Sequence, residues 1–100
     1  VPFSDALRRL ERSRTADVGY WIAQPFWGKG IATQALAQLT QHIFKETDII
    51  RLQALVFDGN IASCRVLEKC GYIQEAFLKC AVFKEDQPIS TYLYSCLNIP

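Results

Sequence analysis

Residues 26–33, Phe-Trp-Gly-Lys-Gly-Ile-Ala-Thr, constrain this chain more than any other stretch. Two glycines and an alanine form a tight turn that opens directly into a helix. A strand-like run, Asp-Val-Gly-Tyr-Trp-Ile-Ala at 17–23, precedes it. Glycine lets a backbone approach a ligand closely and adopt positive φ. The first turn of a helix leaves N–H groups unpaired, and its dipole favours negative charge. Strand, glycine turn and helix start together predict a site for an anionic phosphate. A Walker-type loop is excluded, because Lys29 precedes Gly30 and no Ser or Thr follows a Gly-Lys pair.

Charge and length narrow the function. One hundred residues make one small domain. Eleven basic and ten acidic residues leave a formal charge of +1, so no large field is available to hold nucleic acid or an anionic membrane. Arg8, Arg9, Arg12 and Arg14 cluster locally and read as a solvated face or loop. No apolar run approaches the ~20 residues of a membrane span, and no signal-peptide pattern is present, so a cytoplasmic protein is expected. Cys64, Cys70, Cys80 and Cys96 form no C-x-x-C pair and lie in apolar or periodic segments. They read as free buried thiols rather than metal ligands. His42 has no acidic or nucleophilic partner at catalytic spacing.

The rest of the chain reads as alternating strands and helices. Residues 1–16 are expected as a charged loop or a short helix capped by Ser4. Residues 17–97 form the main unit. A strand is expected over 17–23, stopped by Pro25. A helix follows from Gly28 to about Thr47, with Ile31, Ala35, Leu39 and Ile43 on one face. An interior strand over 50–57, apolar on both faces at its end, precedes the Asp58-Gly59-Asn60 turn and a short helix over 61–70 that Gly71 ends. Strands over 72–83 and 89–97, with a turn at 84–88, close the chain as an antiparallel hairpin. The expected fold is α/β: a mixed sheet with a central parallel βαβ unit and a C-terminal antiparallel hairpin.

A second motif joins the glycine turn. Residues 60–72 read Asn-Ile-Ala-Ser-Cys-Arg-Val-Leu-Glu-Lys-Cys-Gly-Tyr. In a parallel βαβ unit both motifs lie at the carboxyl ends of neighbouring strands, where open α/β sheets bind ligands. Asn60 and Ser63 can present an amide and a hydroxyl to an extended ligand. A capping role alone also accounts for Asn60.

At these residues the chain resembles the GCN5-related N-acetyltransferases, above all the branch that acetylates ribosomal-protein N-termini. The resemblance rests on Gly19-Tyr20-Trp21-Ile22, on residues 26–33, on residues 60–72 and on the closing hairpin, and it covers 17–97. It implies acetyl-coenzyme A as cofactor substrate and acetyl transfer to a primary amine, a small molecule or a protein N-terminus such as that of a ribosomal protein. It implies that Trp27, Gly28, Lys29, Gly30, Ile31, Ala32 and Thr33 hold the diphosphate. The strand end at Trp21, Ile22 and Ala23 would bond the pantetheine arm, which Asn60 and Ser63 also contact. Many members use a tyrosine as the acid, four residues before the helix-ending glycine. Leu67 stands there, so the resemblance transfers the acid role to Ser63. The base stays unassigned: Val82 occupies the glutamate position of that branch, with Glu75 and Glu85 at other registers.

Such domains begin with a strand, two helices and two further strands, for which only Val1-Pro2-Phe3 offers a trace of a counterpart. The expectation is therefore a truncated version of the fold that completes its sheet elsewhere, with a homodimer as one route. The competing reading is a non-catalytic coenzyme A-binding or assembly module.

Overall fold

The computed structural model describes residues 8–10, 14–19 and 29–99. Five strands form one sheet in the order β1-β2-β3-β5-β4. They are β1 (Arg8–Leu10), β2 (Thr15–Asp17), β3 (Arg51–Phe57), β4 (Ile73–Lys84) and β5 (Gln87–Leu97). Helix α1 (Lys29–Glu46) connects β2 to β3, and α2 (Ile61–Lys69) connects β3 to β4. β2 and β3 run parallel, and the other three pairings are antiparallel. This is the mixed sheet with a parallel βαβ unit and a closing hairpin that the sequence predicts.

Alternation along β3 sets the layers. Leu52, Ala54 and Val56 are buried while Leu55 and Phe57 are exposed, so one sheet face carries the core. Ala16 of β2, Val18 just after it, and Tyr94 of β5 join it from the sheet. Leu36 and Ile43 of α1 and Leu67 of α2 cover it. Burying each Leu or Ile side chain contributes about 1.5–3 kcal/mol. The opposite face, with Leu55, Phe57 and Leu78, stays open to solvent. The expectation of an interior β3 matches the strand order, but its end is buried on one face only.

Three further expectations are corrected. Within residues 1–16, Arg8–Leu10 and Thr15–Asp17 are strands rather than loop or helix, because each finds a ladder partner; Ser4 lies outside the described residues. Of the strand expected over 17–23 only 17–19 are described: β2 ends at Asp17 and the chain has left the ladder by Gly19, while 20–23 lie outside the described residues. The cause is local: the Gly19 amide donates to Asp17 Oδ1 at 2.7 Å, a turn that competes with strand pairing. The buried stripe of α1 is Ala32, Leu36, Thr40 and Ile43, so Ile31 is turned outward at 59% exposure. Ala35 and Leu39 flank the core, half-buried.

α2 ends as its sequence dictates. Gly71 takes φ +88°, the Tyr72 amide donates to Leu67 O at 3.0 Å and the Gly71 amide to Glu68 O at 3.1 Å. This is a Schellman stop with its apolar contact, since Leu67 and Tyr72 are both buried. The Tyr72 hydroxyl then meets Thr40 Oγ1 at 2.8 Å, tying α1 to the start of β4. Burial pushes the Tyr72 phenol well above its ordinary range. The hairpin turn is tighter than 84–88: Glu85 and Asp86, both at positive φ, form a two-residue loop.

Candidate active site

Among the described residues the two parallel strands stop pairing partway along β3, and that leaves a gap beside it. Their register ends at Asp17 opposite Gln53, with one further bond from the Val18 amide to Gln53 O at 2.8 Å. β3 continues four residues to Phe57 with no β2 partner among the described residues. Gly19 stands at the mouth of this gap. A Cβ there would lie 3.1 Å from Asp17 Oδ1 and 3.4 Å from the Leu55 amide nitrogen, so a side chain at this position would push on the Asp17 carboxylate while staying in ordinary contact with β3. Asp17 is half-buried beside it.

Both helices begin at this end of the sheet, after the carboxyl ends of β2 and β3. Neither has an acidic residue in its first turn, so each turns a positive dipole end this way without a carboxylate of its own to compete. Gly30 is exposed, and a Cβ on it would meet nothing within 4 Å. Ala32 points into the core, and Thr33 is half-buried with its carbonyl accepting from Cys70 Sγ at 3.2 Å. That last contact fixes the start of α1 against the end of α2. Of the predicted turn and strand-end residues, Trp21, Ile22, Ala23, Trp27 and Gly28 lie outside the described residues. Lys29 opens α1.

Asn60 serves as the N-cap of α2: its Oδ1 accepts from the Ser63 amide at 3.3 Å. Capping uses the side-chain carbonyl only, so the NH2 donors are not spent on it. The capping and ligand readings of Asn60 are therefore compatible. Ser63 is half-buried one turn before Leu67, on the same helix face. Leu67 itself is sealed in the core.

The two β5 tyrosines do not reach the gap. Tyr94 pairs with Ala54 and Tyr92 with Val56, on the side of β3 away from β2. Tyr94 Oη donates to Glu68 Oε2 at 2.7 Å, and Tyr92 Oη to Asp58 Oδ1 at 3.2 Å. Desolvation raises the Tyr94 phenol far above its usual range, and the bond to Asp58 raises that of Tyr92. Glu75 is bound elsewhere too, to Arg51 and Ser95 at the opposite end of β3. Glu85 sits in the hairpin turn, and Val82 pairs with Ile89 near it. Among the described residues the carboxylate beside the gap is that of Asp17, which sequence reasoning missed. Its signal was its place two residues before a glycine that ends a strand.

Cys64, Cys70 and Cys96 are half-buried thiols, as free packing cysteines should be, but Cys80 is exposed. It sits at φ +51° where β4 bulges between Leu78 and Val82, with its amide donating to Ser90 Oγ at 3.1 Å. His42 is exposed on α1, more than three turns from the helix start.

Known proteins share this fold. An acetyltransferase (GNAT) domain model matches residues 4–73. The uncharacterized N-acetyltransferase YoaA of Bacillus subtilis is 31% identical over 88 residues, 88% of this chain and 50% of the relative. The ribosomal-protein-serine acetyltransferase of Escherichia coli is 32% identical over 83 residues, 83% of this chain and 46% of the relative. The crystal structure of the microcin C7 self-immunity acetyltransferase MccE, in complex with acetyl-CoA and AMP, superposes with a TM-score of 0.73 at 29% identity. That match covers 85% of this chain and 47% of the other. The chain thus spans about half the length of the curated relatives it matches. With a family model matching most of its length and relatives more than 30% identical, the chain belongs to the GNAT acetyltransferase family.

Proposed function

We propose that this chain binds acetyl-coenzyme A at the gap between β2 and β3 and transfers the acetyl group to a primary amine, with a ribosomal-protein N-terminus as the acceptor. The observation that carries this is the stretch of β3 that no described residue of β2 pairs, flanked by two acid-free helix starts. The unpaired stretch of β3 suits an extended amide-bearing arm, and the open surface at Gly30 suits a diphosphate. The E. coli relative's name, a ribosomal-protein-serine acetyltransferase, supports the acceptor.

In this reading the amine attacks the thioester carbonyl as a neutral base, the carbon–sulfur bond breaks, and the thiolate leaves with a proton. Ser63, half-buried in the first turn of α2, is the chain's own candidate to hold that thiolate or pass it a proton, because neither β5 tyrosine faces the gap. Asp17 stands where it can favour the incoming ammonium and take up its proton through water. The four unpaired thiols suit a reducing cytoplasm. β4 as the outer strand suits pairing with a second copy, which light scattering reads directly.

The test is calorimetric binding of coenzyme A together with amine-dependent release of free thiol from acetyl-CoA. Binding and turnover support the transferase. Binding without turnover for any amine leaves the non-catalytic coenzyme A module, and no binding overturns both.

A further inference from the structure

The end of α2 grips α1 at two points. Cys70, the C-cap of α2, donates from Sγ to the Thr33 carbonyl at 3.2 Å. Tyr72, two residues on, holds its hydroxyl 2.8 Å from Thr40 Oγ1. Thr33 and Thr40 stand two helical turns apart on α1, roughly 10 Å along its axis and on one face. A single contact would let α1 pivot about it. Two contacts oppose both rotation and sliding.

The stop of α2 sets where these groups stand. The Cys70 amide donates to Leu67 O at 3.1 Å and Val66 O at 3.2 Å, and Gly71 at φ +88° returns the Tyr72 amide to Leu67 O. The two contacts then differ in their surroundings. Tyr72 and Thr40 are buried in the core, whereas Cys70 and Thr33 are half-buried towards the start of α1. Burial pushes the Cys70 thiol up, so it keeps its proton and stays a donor. A thiol is a weak donor, so this contact offers placement more than stability.

We infer that Cys70 is a positioning residue for the cofactor: through the Thr33 carbonyl it sets how the first turn of α1 faces the coenzyme A diphosphate. The inference rests on the transferase reading for where the diphosphate lies. Thr33 is three residues past Gly30, so a shift at one carries the other with it. Groups held in place before a ligand arrives bind it without reorganising. The arm beyond the diphosphate lies along β3 in that reading, out of reach of this contact.

The test therefore compares acetyl-CoA with S-acetylpantetheine, which has the same thioester and arm but no diphosphate. Wild type, Cys70→Ala and Cys70→Ser are assayed by thiol release, and coenzyme A and pantetheine binding by calorimetry. Cys70→Ala should raise the KM for acetyl-CoA at least threefold, hold kcat, and leave the KM for S-acetylpantetheine unmoved. Coenzyme A affinity should fall by the same factor while pantetheine affinity holds. Cys70→Ser, whose hydroxyl reaches for the same carbonyl, should restore the acetyl-CoA values. Equal losses for both thioesters, or a serine variant no better than alanine, would show that Cys70 only fills space and overturn the inference. A wild type that binds coenzyme A no better than Cys70→Ala sinks the role of Cys70 alone. A wild type that binds no coenzyme A sinks the transferase reading and this inference with it.

Discussion

Asn60 Oδ1 accepts the Ser63 amide at 3.3 Å, so one side chain caps α2 while its amide donors stay available at the site. The two roles separate by substitution. Asn60→Ala should cost about 0.5–2 kcal/mol through loss of the cap. Asn60→Asp keeps the capping oxygen but removes the donors and adds negative charge near the thioester arm. We expect an unchanged melting temperature and at least tenfold weaker coenzyme A binding for Asn60→Asp. Equal coenzyme A affinity in that variant would reduce Asn60 to a cap.

Gly30 lines the start of α1 with open space above it. Gly30→Glu should fold normally, since its Cβ meets no protein atom and glycine is a poor helix former. The carboxylate would stand where the diphosphate is proposed to lie. Calorimetry should show no detectable coenzyme A binding, and circular dichroism should show a native melt.

Ser63 contributes its backbone amide to the cap, not its hydroxyl. Ser63→Ala should therefore change stability by less than about 0.5 kcal/mol, within the usual range for changes that touch no such feature. If the hydroxyl serves the leaving thiolate, kcat falls while the KM for acetyl-CoA holds. Full activity would assign the proton to water, because Tyr92 and Tyr94 are engaged away from the gap.

Arg51 and Glu75 form a two-pronged ion pair, at 2.8 and 2.7 Å, that joins β3 to β4 across β5. The Arg51 bonds, followed by that from Ser95, hold the Glu75 carboxyl down at about 2, against an ordinary 4.5. A depressed carboxyl contributes stability that is complete above its unfolded value and lost as pH falls towards its folded one. Thermal melts between pH 5 and 2 should therefore show wild type losing more stability than Glu75→Gln. Parallel curves would mean that the pair contributes little, as many partly exposed pairs do.

Thr91 Oγ1 is buried without a partner. An unsatisfied hydroxyl costs about 1–3 kcal/mol, and valine fills nearly the same space without one. Thr91→Val should raise the denaturation midpoint at constant m-value. A fall would show that the hydroxyl is satisfied in solution.

Much of the βαβ unit was legible because its signals are local. The Gly71 stop, the Asn60 cap and the two-period alternation of β5 each depend on neighbours in sequence, and each appears as read. β2 escaped the reading because its end is set by competition: the Asp17 side chain takes the Gly19 amide that a longer strand would have used. The buried stripe of α1 also shifted: two adjacent registers carry apolar residues, and packing chose the one that includes Thr40, whose hydroxyl meets Tyr72.

The candidate site divides in the same way. The sequence alone determined the family motifs, the glycine at position 30 and the polar pair Asn60 and Ser63, because these follow from backbone chemistry within one turn. Tertiary structure decided that the described pairing of β2 with β3 ends at Asp17, that Tyr92, Tyr94 and Glu75 are bonded away from the gap, and that Lys84 stands over Phe57. Those relations join residues far apart in the chain, and strand order and register, which no local pattern encodes, bring them together.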